Sequence, residues 1–242
     1  MNLHLSLQKR PRKKEFPLKF PKLVKPSNLI PSQPHKVSGT NRLKVAMEDV
    51  HIIEVTEENL ERCQPLCDAV MQFQADKSKL HRAILAAMNF ENRLKASFLS
   101  SQNKLLLLAE YRGEAIGYAY ANTYFMTEEG RYFLPDWLAT IYKKGQLVFY
   151  PEHQNFPANI GVFNNLYVLP NHHGKGVGLT LAKRLMDWLY QSETDDLYVY
   201  ISNGNEESMA PFYQQLGFAY SHAVLGGFIF AYHQKRPKNY SV

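Results

Sequence analysis

Two rhythms of apolar and polar residues alternate along the chain from Val50 onward. "VHIIEV" (50–55) is a short β-rich run. Thr56 then opens a helix with Glu57 and Glu58 in its first turn, where acids suit the helix dipole. Leu60, Cys63, Leu66, Cys67 and Val70 fall at helical spacing on one face. A second helical pattern runs over 79–98 through Leu80, Ile84, Leu85, Met88 and Leu94. "KLLLLAEYRGEAIGYAYA" (104–121) predicts a hairpin turning at Arg112-Gly113-Glu114. A strand over 160–170 is stopped by Pro170, and the helix after the next loop presents Leu181, Leu185, Trp188 and Leu189 on one face. A strand at 197–201, a helix over 207–218 ended by Gly217, and a last strand over 222–232 complete the order. The sum is β-α-α-β-β-insert-β-α-β-α-β, one α/β domain over the last 190 or so residues.

Two stretches stand outside this pattern. Residues 1–46 carry eleven Lys/Arg against one acid, Glu15, and prolines at 11, 17, 21, 26, 31 and 34, so no helical or strand period survives. They read as a disordered basic leader: a tether to nucleic acid or an anionic membrane surface, a targeting segment, or an extension dispensable to a protein starting at Met47. The remaining 17 basic and 21 acidic residues leave the folded part slightly acidic, so the overall charge of +6 belongs to the leader and speaks weakly for nucleic-acid binding. The second stretch, an aromatic-rich insert at 124–158, would wall a site or simply pack.

Candidate chemistry narrows the picture. No apolar run is long enough to span a membrane and no secretory h-region opens the chain, which predicts a cytoplasmic protein. Cys63 and Cys67, four apart on a helix, are expected to be buried free thiols, and no spaced ligand set suggests a metal. The stretch "HHGKGVGLTLAKRLMD" (172–187) is different. A glycine-paved loop between a strand and a helix gathers unpaired N–H groups, and these together with the helix dipole attract anions, phosphates above all. The spacing fits neither the Walker pattern nor the dinucleotide fingerprint.

The run "LYVLPNHHGKGVGLTLAKRLMDWL", then a strand, "SNGN" and "APFYQQLGF", resembles the GNAT superfamily of acetyl-CoA-dependent N-acetyltransferases. That family's signature, [R/Q]-x-x-G-x-[G/A], falls on His173, Gly174, Lys175, Gly176, Val177 and Gly178, with His173 in place of Arg or Gln. The second hallmark falls on Asn205, Ala210, Phe212, Tyr213, Gly217 and Phe218, with Pro211 between Ala210 and Phe212. The resemblance implies a mixed, mostly antiparallel sheet flanked by helices. It implies that Leu166, Tyr167 and Val168 offer main-chain groups to the pantetheine arm, that 173–178 hold the pyrophosphate, and that Asn205 hydrogen-bonds the cofactor. Tyr213 would sit near the thioester sulfur and assist the leaving thiolate, and an amine acceptor (a small molecule or a peptide) would attack directly. Families of this kind often place a Glu on the strand before the loop; here Asn164 and Asn165 stand there, so no base is named and a non-catalytic acyl-CoA-sensing module is the alternative. Oligomeric state, a homodimer included, is open.

Overall fold

The computed structural model describes residues 49–132 and 149–237. The expected leader, Met47 and the centre of the expected insert, with Phe133, Trp137 and Tyr142, lie outside the described residues.

Seven strands form one sheet in the order β1-β2-β3-β4-β5-β7-β6. They are β1 (Val50–Glu54), β2 (Asn103–Tyr111), β3 (Glu114–Met126), β4 (Ala158–Val168), β5 (Asp196–Ser202), β6 (Ala219–Val224) and β7 (Ile229–Lys235). Every neighbouring pair is antiparallel except β4–β5. Parallel neighbours need a crossover, and α4 (Val177–Gln191) supplies it. The predicted hairpin is confirmed: Arg112 (φ 53°) and Gly113 (φ 83°) make the left-handed two-residue turn that matches strand twist.

One face of the sheet carries α4 and α5 (Glu206–Gln215). Leu181, Leu185 and Leu189, one turn apart on α4, are fully buried there against Ala119, Phe163 and Val199, each worth roughly 1.5–3 kcal/mol. The opposite face carries α1 (Gln64–Lys77), α2 (Arg82–Ala87) and α3 (Ala96–Ser100), which cover Leu106, Leu108, Tyr118, Tyr120 and Tyr198.

Three expectations need correction. The helix from Thr56 begins as a 3-10 turn over Glu57–Cys63 before α1, consistent with Pro65, which suits a helix start. The 79–98 helix is three pieces: α2, a π-turn over Phe90–Lys95 and α3. His81 at φ 53° and Asn89, whose side chain accepts from the Asn92 N–H, interrupt it. The last strand is the β6–β7 hairpin, turned by Leu225, Gly226 and Gly227 in left-handed conformations. Cys63 and Cys67 are buried and free as expected. Among the described residues no helix is long and apolar enough to cross a membrane.

Candidate functional site: a split between two parallel strands

β4 and β5 pair only from Ile160 to Phe163, against Asp196 to Val199. Beyond Phe163 the strands part, and the cause lies in β4. Tyr120 of β3 faces Asn165 while Ala121 faces Phe163, so Asn164 is an extra, bulged residue. A bulge bends its strand, and the bend leaves the end of β4 without a partner on the β5 side. The Asn164 side chain is held by Asn122 of β3, whose own amide donates to Ser101 Oγ (2.8 Å).

The end of β4 offers main-chain groups in alternation. The Leu169 N–H donates to the Ile116 carbonyl (2.8 Å), so the register turns the main chain of Tyr167 toward β3 and that of Leu166 and Val168 toward the split. Of the three residues expected to serve a pantetheine arm, Leu166 and Val168 present their groups and Tyr167 spends its own within the sheet. The Val168 carbonyl is taken by His173 Nε2 (2.6 Å).

The loop then turns over Pro170–His172 and enters α4. Gly174 (φ 72°) and Gly176 (φ 86°) hold left-handed conformations; Gly178 does not and lies in the first helical turn. Helices prefer a Ser, Thr, Asp or Asn cap that consumes their first N–H groups. Here the cap position is Gly176, with no side chain to do so. The Thr180 N–H is the first to close, on the Gly176 carbonyl (2.9 Å). The N–H groups of Gly174 through Leu179 have no backbone acceptor among the described residues. A Cβ on Gly174 would meet nothing within 4 Å, so the loop is open on that side. This row of bare amides at a helix N-terminus fits a phosphate-bearing ligand. The Lys175 and His173 side chains are engaged otherwise: Lys175 Nζ donates to the Asn171 carbonyl (2.7 Å), and His173 fastens the loop to β4. Lys175 thus brings its main-chain N–H to the row rather than charge, while the His173 N–H is spent on the Pro170 carbonyl (3.2 Å).

Across the split stands the turn after β5. Asn205 is 2% exposed; its Nδ2 donates to Ser202 Oγ (2.9 Å), and its Oδ1 has no partner among the described residues. A buried acceptor left unpaired costs about 1–3 kcal/mol, so this oxygen suits a ligand N–H. About two turns of α5 further on, Tyr213 packs edge-on to Phe163 at 5.5 Å, within the core that reaches both strands. Its hydroxyl makes no hydrogen bond to a described residue, and burial pushes the phenol well above its ordinary range. It therefore stays protonated at neutral pH and has a proton to donate.

Sequence reasoning missed Asn203, which is 5% exposed and bonded to two other segments. Its signal was its place in "SNGN", where two asparagines flank a glycine. Among the described residues no cluster of three His, Cys, Asp or Glu is arranged to hold a metal.

The parted parallel strands and the row of amides at the split fit a ligand that carries a phosphate and lies along β4. The chain belongs to the acetyltransferase (GNAT) family, whose sequence profile matches residues 74–218, and it is an acetyl-CoA-dependent acyltransferase. No curated protein matches it. Among solved structures, the PaiA N-acetyltransferase of Thermoplasma acidophilum in complex with coenzyme A is similar at 15% identity and a TM-score of 0.51, covering 77% of this chain and 98% of its own. The yncA protein of Salmonella typhimurium, solved with acetyl-CoA, is 17% identical at 0.48, covering 80% and 97%. The ribosomal-protein-S18-alanine N-acetyltransferase of Escherichia coli is 13% identical at 0.45, covering 80% and 99%.

Proposed function

We propose that this protein is a cytoplasmic N-acetyltransferase that moves the acetyl group of acetyl-CoA to a primary amine by direct attack. The observation that carries the reading is the row of unpaired amides from Gly174 to Leu179 beside the β4–β5 split. Those amides hold the diphosphate; Leu166 and Val168 receive the pantetheine arm as an added strand would be received. The Asn205 Oδ1 accepts a cofactor N–H. The bound acetyl-CoA supplies an activated thioester. A main-chain N–H at the end of β4 polarises the carbonyl, and holding both reactants in the split contributes several kcal/mol. Tyr213 donates to the departing sulfur. An alkyl amine is only about 0.1% free base near pH 7.4, so its ammonium gives a proton to water before the free amine attacks.

Isothermal titration of the full chain with acetyl-CoA tests the binding half. Saturable heat is expected, and none at about 100 μM would sink the reading. Thiol release over an amine panel tests the transfer half. Binding without any turnover would favour an acyl-CoA-sensing module, the reading to which the amides Asn164 and Asn165 on β4 lend weight.

A further inference from the structure

Beside the bulge, β4 carries an amide with an oxygen that the protein itself does not use. Asn165 lies opposite Tyr120 of β3, so the two side chains share the face of the sheet that α1 and α3 cover. It stands two residues beyond Phe163, the last residue of β4 paired with β5, and one before Leu166, whose main chain turns to the split. It is 4% exposed, and its Oδ1 has no hydrogen-bond partner among the described residues. The polar groups around it are spent on one another. The Tyr120 hydroxyl bonds to Ser97 Oγ (3.1 Å) and Ser101 Oγ (3.2 Å), Asn122 Nδ2 donates to Ser101 Oγ (2.8 Å), and Asn164 Nδ2 donates to Asn122 Oδ1. A buried acceptor left open costs stability, so it marks a place for a donor from outside the chain.

Charge around the opening says which donor. The carboxylates of α1 are turned elsewhere: Asp68 accepts from the Phe90 N–H (2.7 Å), and Asp76 pairs with Arg82 (2.9 Å). Asp196, at the paired end of β5, is held by His233 and Gln154. No carboxylate of a described residue acts on the phenols beside the split. Burial pushes up Tyr120 on β3, Tyr200 on β5 and Tyr213 on α5, and the charge that acts on Tyr120 is the positive Arg93 of the π-turn. An ammonium there would be buried without a counter-charge, a cost that a free amine escapes.

We infer that Asn165 receives the acceptor's nitrogen through its Oδ1, and that the acceptor is a weakly basic amine, an α-amino group or an arylamine, which binds as the free base. The inference rests on the transferase reading. A primary amine has two N–H donors and one lone pair. Giving one N–H to Asn165 holds the nitrogen beside a thioester on β4 and leaves the lone pair free to attack. The lone pair forms the C–N bond and the C–S bond breaks. Tyr213 protonates the leaving sulfur, and the surplus proton on nitrogen passes to water, from which Tyr213 recovers its own. An α-amino group is roughly a quarter free base at pH 7.4, about 300-fold more than an alkyl amine. A neutral carboxamide does not make up that difference, whereas a carboxylate would, by holding the ammonium and taking its proton.

The test measures thiol release by the full chain with tetra-alanine, which offers an α-amine, with p-anisidine, an arylamine, and with Nα-acetyl-lysine amide, an alkyl amine. At pH 7.4 at least one of the first two is expected to exceed the third about 100-fold or more in kcat/KM, and which one does so names the source of the amine. The p-anisidine rate, where present, should be flat over about pH 6.5–9, because neither that substrate nor Asn165 titrates there. Asn165→Ala should lower kcat/KM for the preferred amine about tenfold or more while acetyl-CoA affinity stays within about twofold. Asn165→Asp should narrow the preference over the alkyl amine about tenfold or more, a change that a merely structural amide would not produce. Comparable rates for all three amines in the parent, a p-anisidine rate that climbs across that pH range, or an unchanged amine kcat/KM in Asn165→Ala overturns the inference and leaves the transferase reading standing. Acetyl-CoA binding without turnover of either weakly basic amine overturns it as well. If Asn165→Ala does not fold, Asn165→Ser is read the same way. Failure of the parent chain to bind acetyl-CoA strikes the transferase reading and takes this inference with it.

Discussion

Gly176 carries two requirements that no other residue meets together. Its φ of 86° disfavours any side chain, and its lack of one leaves the N-terminal amides of α4 uncapped. Gly176→Ala should cost about 1–2 kcal/mol in backbone strain and raise the acetyl-CoA Kd about tenfold or more, read by titration. Tyr213→Phe keeps the ring packing on Phe163 but loses the one donor. Its kcat is expected to fall about 100-fold with acetyl-CoA affinity unchanged, measured by thiol release; full turnover would remove Tyr213 from the chemistry. The Cys63 thiol is pushed up to about 12, chiefly by burial, with Cys67 beside it adding to the effect. Native protein at pH 8 should therefore resist iodoacetamide at Cys63, and mass spectrometry should find it unmodified until denaturant is added. At this scale much of the site was legible. Gly174, Gly176 and Tyr213 are residue types whose chemistry is local. Asn203 was not, because its partners lie 25 (Phe228) to 125 (Ser78) positions away and an asparagine in a turn has a sufficient local explanation.

The bulge at Asn164 is the element that makes a site out of a sheet. Removing Asn164 would bring Tyr120↔Asn165 and Ala121↔Phe163 into one continuous ladder, with every side chain kept on its own face. The deletion variant should therefore fold with its far-UV circular dichroism intact, yet bind acetyl-CoA at least about tenfold more weakly, since a straight β4 closes on β5. Retained affinity would mean that the split has another cause. The bulge could not be read from "IGVFNNLYVLP", because the alternation breaks only against a partner's register. The broken 79–98 helix and the β6–β7 hairpin are different failures. Asn89 and Asn92 offered a cap signal, and Gly226-Gly227 offered a turn signal, but the apolar periodicity ran through both.

Across the whole molecule, a buried polar network ties the far end of the sheet together. His233 Nε2 donates to Asp196 Oδ1 (2.6 Å), Gln154 Nε2 to Asp196 Oδ2 (2.8 Å), and the Tyr198 hydroxyl to Gln154 Oε1 (2.6 Å). Burial alone would push the Asp196 carboxyl up, but the bonds from His233 and Gln154 outweigh it and hold it below its ordinary range. A carboxyl lowered by folding stabilises the protein above its unfolded value, near 3.9, and that stability is lost as pH falls through the folded value. The urea midpoint should therefore drop between about pH 4.5 and pH 3, and Asp196→Asn should flatten that drop while costing about 1–3 kcal/mol at pH 7. An equal slope in both proteins would place the acid lability elsewhere.

By itself the sequence determined most of the elements from Val50 to the helix over 207–218, the glycine loop and the family they belong to, because helical period and turn residues are written within a few residues of each other. Only the tertiary structure decided that β4 leaves β5 after Phe163, that Tyr167 turns its main chain inward, and that Asn203 joins three distant segments. Those are facts of register and of contact between remote parts of the chain, and no single stretch of residues contains both partners.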